Sequence, residues 1–225
     1  MTQMSEMPAK PVRPRDAASL VIVDTSGAEP RVLMGRRHAK MKFIPDAFVF
    51  PGGKLDPDDM HAMPATPLHH AAHFGSPAKA RGLAMAAVRE TFEETGLILA
   101  KPGDVGALSG KGWADFHRDG IAPDLAAMSG LARAITPRQS PIRFHARFFA
   151  TTADRLSGTL KGSGELEDLD WYPISDALKL PVIDVTEFVL TEVRAIHAGG
   201  VTRASAPLYS YRNNKPIVRH HANTR

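Results

Sequence analysis

Residues 89–97 read Arg-Glu-Thr-Phe-Glu-Glu-Thr-Gly-Leu, which places the carboxylates of Glu90, Glu93 and Glu94 at i, i+3 and i+4. That spacing brings side chains together on one face of an α-helix. On a wheel of about 100° per residue, Met85, Val88 and Phe92 fall on roughly the opposite side. The string therefore predicts a helix with a core side and an acidic side. Ala86 and Ala87 lie near the acidic sector one turn earlier, where small side chains let a loop approach, and Gly96 stands where a left-handed cap is expected. Like charges at i,i+4 repel by roughly a few tenths of a kcal/mol per pair, so an isolated helix gains nothing from the cluster. A divalent cation reverses that sign, because carboxylate oxygens are natural ligands of Mg²⁺ or Mn²⁺. Glu90, Glu93 and Glu94 are thus the candidate metal ligands, Glu93 and Glu94 count as catalytic, and Arg89 is placed to orient one carboxylate through a bidentate contact. A Glu-rich stretch alone is more often a solvated face; the length of this string, and what precedes it, weigh against that.

What precedes it is a strand-like run from Ala47 to Phe50, followed by Pro51-Gly52-Gly53. Arg36, Arg37, Lys40 and Lys42 fall just before this turn, where they would face an anionic ligand such as a diphosphate; a solvated loop is an equal fate for Lys40 and Lys42. Arg37, Lys42, Gly52 and Gly53 are the candidate substrate-binding residues. A second acidic segment, Glu165-Leu166-Glu167-Asp168-Leu169-Asp170-Trp171, follows a turn at Gly162 to Gly164. Were the chemistry at the carboxylate face a metal-assisted hydrolysis, it would need a group to accept the proton of the attacking water; Glu165 is then the first candidate and Glu167 the second. An acidic surface turn is the competing reading.

The remaining bounds are broad. A length of 225 residues with 43% hydrophobic content suits one domain with extensions. There is no cysteine, so disulfides, a thiolate nucleophile and a Cys-rich zinc site are excluded, and the cytoplasm is the simplest compartment. No apolar run approaches the roughly 18 residues that span a membrane, and the N-terminus lacks a signal-type apolar region. A net charge of +4 is too modest to argue for a nucleic-acid partner. Walker-type phosphate loops and Gly-x-Ser-x-Gly elbows are missing, which argues against a nucleotide-driven motor or a serine hydrolase.

Along the chain, residues 1–15 read as a mobile tail, residues 16–206 as the folded domain and residues 207–225 as an irregular extension. Ser19–Val23 and Val32–Met34 read as strands. Met60 to Pro77, without periodicity, reads as a surface excursion within an insertion at 60–80, its His61, His69, His70 and His73 facing solvent rather than a metal. Residues 101–136 read as a helical insert, with patterns at Trp113–Arg118 and Asp124–Ala134, and Arg143–Thr151 as a central strand. Asp184 with Glu187 resembles a capping box opening a helix that ends near His197.

Phe-Pro-Gly-Gly followed by Arg-Glu-x-Phe-Glu-Glu-x-Gly-Leu resembles the signature of the Nudix hydrolases. In that family the box runs glycine, five residues, glutamate, seven residues, then Arg-Glu. Here Gly53 is followed after five residues by Asp59, and 29 residues (60–88) precede Arg89, an insertion of 22. The first glutamate of the box becomes Asp59 counted from the left or Arg81 counted from the right. The resemblance implies an α/β class fold, an α/β/α sandwich with a mixed sheet and a catalytic loop-helix. It also implies Mg²⁺ or Mn²⁺ and hydrolysis of a nucleoside diphosphate linked to another moiety. Glu165 matches a glutamate that in Nudix enzymes precedes a comparable Trp and supplies a base or a metal contact.

Leu33-Met34-Gly35-Arg36-Arg37-His38, leading to Lys42, Asp46 and Phe50-Pro51-Gly52-Gly53, keeps the spacing of an element found in the coenzyme A diphosphatases of this superfamily, with Gly35, His38 and Asp46 departing from it. The interrupted box, Ile135-Thr136-Pro137 and Pro141-x-Arg143-Phe144-x-x-Arg147-Phe148-Phe149 also look like the peroxisomal members of that branch. The final Asn-Thr-Arg differs from a Ser-Lys-Leu address, so a bacterial or cytosolic relative is expected. CoA or acyl-CoA is the expected substrate, ADP-ribose or a dinucleotide the alternative, and a nucleotide-binding module whose long insertion displaces the Gly53 loop the second alternative. Homodimerisation is a habit of the family.

Overall fold

Within the run from Ala17 to Val23, Leu20 and Ile22 are buried in one hydrophobic core while Val21 and Val23 are buried in another. Alternate residues of a strand point to opposite faces, so a strand apolar on both sides must sit between two covering layers. The computed structural model describes residues 12–41, 43–71, 73–108, 110–199 and 206–220. Its strands and helices are, in chain order, β1 (Arg15–Asp24), β2 (Arg31–Arg37), β3 (Phe48–Val49), β4 (Gly52–Lys54), α1 (Pro57–His61), α2 (Pro77–Thr95), β5 (Leu97–Ile98), β6 (Ala100–Pro102), α3 (Ala114–Arg118), β7 (Ile121–Pro123), β8 (Ser129–Ile135), β9 (Phe144–Thr152), β10 (Ser157–Gly158), β11 (Leu166–Pro173), α4 (Ile174–Ala177), α5 (Asp184–His197), β12 (Leu208–Arg212) and β13 (Lys215–Arg219).

The main sheet runs β11-β2-β1-β9-β8-β12-β13, with β3 added to β2 and β4 to β1. It is mixed: β1 pairs β9 in parallel, β8 pairs β12 in parallel, and the other pairs are antiparallel. Helix α2 packs on the face that carries Leu20, Ile22 and Phe149. Helix α5, through Val189, Leu190 and Val193, packs on the face that carries Val21, Val32 and Phe148. The expected α/β/α sandwich with a mixed sheet is the fold found. For the site, the decisive register is β4 on β1, where Ala18 faces Gly53 and Ser19 faces Gly52, because it lays the glycine turn beside α2.

Several local expectations need correction. The segment 60–77 is not a surface excursion: Ala62 and Phe74 have no exposed surface. Phe74 packs edge-on against Phe149 of β9, ring centroids 4.8 Å apart, and bridges join Thr66 to Asp124 and His70 to Ser129. The histidines at 61, 69, 70 and 73 are exposed, as expected. In the 101–136 region, Trp113–Arg118 does form a short turn and α3, but Asp124–Ala134 is a 3-10 turn and strand β8, because the sheet has a slot between β9 and β12 that this segment fills. A bulge between Gly130 and Ala132 lets it fit.

Helix α5 has the predicted extent, but Ile183 is its cap, with no side-chain cap bond. The Asp184 carboxylate instead accepts from the Tyr211 hydroxyl and from Val185 N. The C-terminal stretch is not irregular as far as it is described: β12 and β13 form a hairpin whose Asn213 and Asn214 hold φ of 50° and 60°, the turn chemistry that such short connections need. Residues 1–11 and 221–225 of the expected tail and extension lie outside the described residues, and β1 already begins at Arg15.

If the 60–77 segment is part of the core, Phe74→Ala lowers the unfolding free energy by about 3–5 kcal/mol in urea titration; a surface loop would register less than about 0.5 kcal/mol.

Candidate active site

Helix α2 is started by Ser76, whose hydroxyl accepts from Lys79 N, with Pro77 in its first turn, and it ends at Gly96 in the left-handed region at φ 71°. The string 89–97 therefore forms the helix and cap read from it. The two-sided picture, however, is too simple. Residues from Gly82 to Arg89 are buried all round, because α1 lies over the flank opposite the sheet; a Cβ on Gly82 would meet Met60 Sδ at 2.3 Å. Of the three helical carboxylates, the Glu93 side chain is 40% exposed and that of Glu90 17%, while Glu94 as a residue is only 6% exposed.

The charge in this cluster is organised by Arg89. Its Nε and Nη2 donate to Asp59 Oδ1 and Oδ2 at 2.8 and 2.9 Å, Nη2 also reaches Lys54 O at 3.1 Å, and Nη1 reaches Glu90 Oε1 at 3.1 Å and Glu93 Oε2 at 3.2 Å. Asp59 has no exposed surface and accepts two further bonds, from Trp113 Nε1 at 3.1 Å and Asp56 N at 2.8 Å. Asp59, the residue reached by counting from the left, is thus the bidentate partner of Arg89. Arg81 points away and donates to the carbonyls of Met60 and Ala62 at the end of α1.

The glycine turn meets the helix as its sequence suggests. Gly52 holds φ 152°, and a Cβ there would lie 2.4 Å from Ala18 O. Its N–H donates to Glu94 Oε2 at 2.8 Å. Gly53 stands so close to Glu90 that a Cβ would lie 2.2 Å from the carboxyl carbon. The intervening segment has not displaced this loop from the helix. Burial pushes the Glu94 carboxyl up to about 8, with Glu90 and Glu165 adding to the rise against the Gly52 bond. Burial likewise pushes Glu90 up to about 7, partly offset by Arg89.

Two loops complete the approach to Glu94. The carbonyls left open at the end of α2 are taken by the turn after β10, Lys161 N donating to Thr95 O at 2.8 Å and Ser163 N to Glu94 O at 3.3 Å, which delivers exposed Glu165 to this side. Arg37, half-buried at the end of β2, donates from Nε to Phe43 O at 2.9 Å and feels the charges of Glu94 and Glu165. Arg37, Glu94 and Glu165 are therefore brought together. Glu167 is not part of this group: its carboxylate pairs with Arg36 at 2.8 Å, in an exposed network that includes Asp46 and Asp168. Asp168, at φ 49°, marks an irregularity in β11. Lys42 lies outside the described residues.

Among the described residues, no group of three or more His, Cys, Asp or Glu side chains stands ready around a common ion position. Glu90 and Glu93 are turned to Arg89, and Glu94 to Gly52. The donor set nevertheless fits Mg²⁺ or Mn²⁺ in kind, since it is all oxygen and two of its carboxylates are held in a neutralising environment that a cation would relieve. Trp113 and Gly112 also border this site. Neither was singled out for it in the sequence, because they lie beyond the helix and no spacing rule links them to it.

Replacing Asp59 by Asn removes the charge of the buried bidentate partner of Arg89 and leaves the guanidinium only its outer contacts with Glu90 and Glu93. Urea unfolding of Asp59→Asn is expected to lose about 3 kcal/mol or more, against less than about 0.5 kcal/mol for the exposed Asp56→Asn.

A profile of the NUDIX domain matches residues 13–189. A Caenorhabditis elegans protein named "Putative nudix hydrolase 7" is 27% identical over 169 residues, 70% of this chain and 50% of that protein, so the chain spans half the length of this curated relative. Among solved structures, a NUDIX hydrolase from Alicyclobacillus acidocaldarius is similar at 30% identity and a TM-score of 0.65, covering 80% of this chain and 90% of that one. The NUDIX domain of Shewanella oneidensis NrtR, solved with ADP ribose, has the same fold at 12% identity and a TM-score of 0.50, covering 88% and 99%. The matched span contains the glycine turn, the Arg89–Asp59 pair and all three helical carboxylates, and the chain belongs to the Nudix hydrolase family.

Proposed function

We propose that the chain hydrolyses the diphosphate of a nucleoside diphosphate linked to another moiety, with coenzyme A or an acyl-CoA as the substrate. The observation that carries the first part is the Glu90, Glu93 and Glu94 face, held by Arg89 beside the glycine turn, with Arg37 and Glu165 converging on Glu94. The second part is supported by the spacing of Leu33, Arg37 and Phe50-Pro51-Gly52-Gly53.

In this reading Glu90, Glu93 and Glu94 hold Mg²⁺ or Mn²⁺. The ion supplies neutralisation of the diphosphate and a lowered pKa for water. Arg37 and Lys42 supply positive charge to the phosphates. Gly52 and Gly53 allow the close approach of backbone and carboxylates. Glu165, exposed beside Glu94, takes the proton of the attacking water, whereas Glu167 is committed to Arg36.

Mass spectrometry of products after incubation with Mg²⁺ or Mn²⁺ tests both parts. Formation of 3′,5′-ADP and 4′-phosphopantetheine from CoA is the expected result. AMP from ADP-ribose or NADH moves the substrate to the dinucleotide class, and no product from any of them supports a binding module instead. On the productive substrate, Glu165→Gln lowers kcat by about 10²-fold or more, while Glu167→Gln changes it by less than about threefold.

The raised carboxyls also fix a pH signature. Glu90 and Glu94 titrate near 7 and 8 in the folded chain against 4.5 for an ordinary glutamate, so the folded state binds more protons than the unfolded one between these values. Their contribution to stability is present at low pH and is lost as pH rises through the window from about 4.5 to about 8. In EDTA this lowers Tm as pH rises. Millimolar Mg²⁺ is expected to restore Tm, and to do so more at pH 8 than at pH 6, by thermal melts across that range.

A further inference from the structure

A third glycine, outside the 50–97 signature, borders the same carboxylates. Gly112 lies in the 3-10 turn Lys111–Trp113, and a Cβ there would stand 2.5 Å from Arg89 Cδ and 2.6 Å from Glu93 Oε1. Its φ is not left-handed, so a side chain would lack space rather than a permitted backbone conformation. Gly53 stands just as close to Glu90. The strap that carries Gly112 is pinned at both ends. Gly110 N donates to Asp58 Oδ2 at 2.6 Å, and fully buried Trp113 donates to Asp59 Oδ1 at 3.1 Å, the oxygen that also holds Arg89 Nε. Between strap and α1 a cleft of about 420 Å³ opens onto Arg89 and Glu93.

We propose that the strap Gly110–Trp113 is a positioning element for the ion-binding carboxylates, in which the missing side chain at 112 defines the room available to Glu93. This rests on the metal-dependent reading above and adds to it a segment that the family signature does not contain. Of the two atoms that an added Cβ would press on, Arg89 Cδ cannot give way, because the guanidinium is fixed by Asp59 and by Lys54 O in a buried setting. Glu93 can, because its carboxylate is 40% exposed and, among the described residues, is held by Arg89 Nη1. A methyl group at 112 therefore displaces the Glu93 carboxylate, and the strap itself must draw back to clear Arg89 Cδ. Trp113 acts through a different atom, by holding the Asp59 oxygen against which Arg89 is set.

The test is Mn²⁺ binding to the full chain by electron paramagnetic resonance, with no substrate present, alongside a thermal melt. Gly112→Ala is expected to weaken Mn²⁺ binding roughly tenfold, the order seen when groups that orient metal ligands are altered, with a metal-free melt that is lowered as the strap shifts but stays cooperative. An unchanged Mn²⁺ affinity in a folded Gly112→Ala overturns the inference and leaves the function untouched. Absence of Mn²⁺ binding by the unaltered chain overturns the metal-dependent reading and the inference with it. Should Gly112→Ala fail to fold, Trp113→Phe keeps the ring packing but removes the N–H to Asp59. A roughly threefold or larger loss of Mn²⁺ affinity then supports the positioning role, and an unchanged affinity overturns it.

Discussion

Arg89 and Asp59 have been taken out of water together, and that transfer is expensive unless every donor and acceptor finds a partner. Here they do. Asp59 accepts from both ends of the guanidinium fork, from the Trp113 indole and from Asp56 N; the guanidinium uses what remains on Lys54 O, Glu90 and Glu93. The glycine loop, α1, α2 and the strap before α3 converge on this one pair. Because its partners come from residues 54–59, 89–93 and 113, the pair forms only when the chain between them is folded back correctly. It acts as the registration point between the sheet layer and the helix laid across it.

The pair also explains why an acidic helix is tolerated inside a folded chain. One guanidinium cannot neutralise Asp59, Glu90 and Glu93 at once, and Glu94 accepts from Gly52 N with Arg37 as its nearby positive charge. Burial, with repulsion among the carboxylates adding to it, makes Glu90 and Glu94 hold their protons near neutrality. A chain optimised only for stability would have replaced one of these glutamates, so the strain marks the place where function overrules packing.

Much of this was legible in the sequence, and the parts that were not share a cause. The helix, its glycine cap and the glycine turn follow from local rules, i,i+3,i+4 spacing and the conformations only glycine reaches, and residues 52, 53, 90 and 96 behave accordingly. Asp59 could be reached by counting, but Arg81 was an equal candidate until the α1 fold-back put Arg81 on the carbonyls of Met60 and Ala62. Phe74, β8 and the 208–219 hairpin were misread because their conformations are set by neighbours distant in the chain: Phe149, the slot beside β9, and Arg133 and Ala134 of β8. Asp184 shows the same rule in miniature, its carboxylate drawn from the helix end to Tyr211. Sequence patterns report what a segment prefers alone, and tertiary partners decide among near-equal preferences.

The sheet order carries one more implication. Its two outermost strands are β11 and β13. An open row of backbone donors and acceptors at such a margin invites strands from other molecules. On β13 that row is interrupted by Pro216, which has no N–H, and flanked by the cations Lys215 and Arg219. On β11 the irregularity at Asp168 breaks the regular spacing amid acidic side chains. One margin is therefore guarded by positive charge and the other by negative. Among the described residues, this sheet offers at neither side a regular template on which intermolecular zippering of the kind that seeds fibrils could begin.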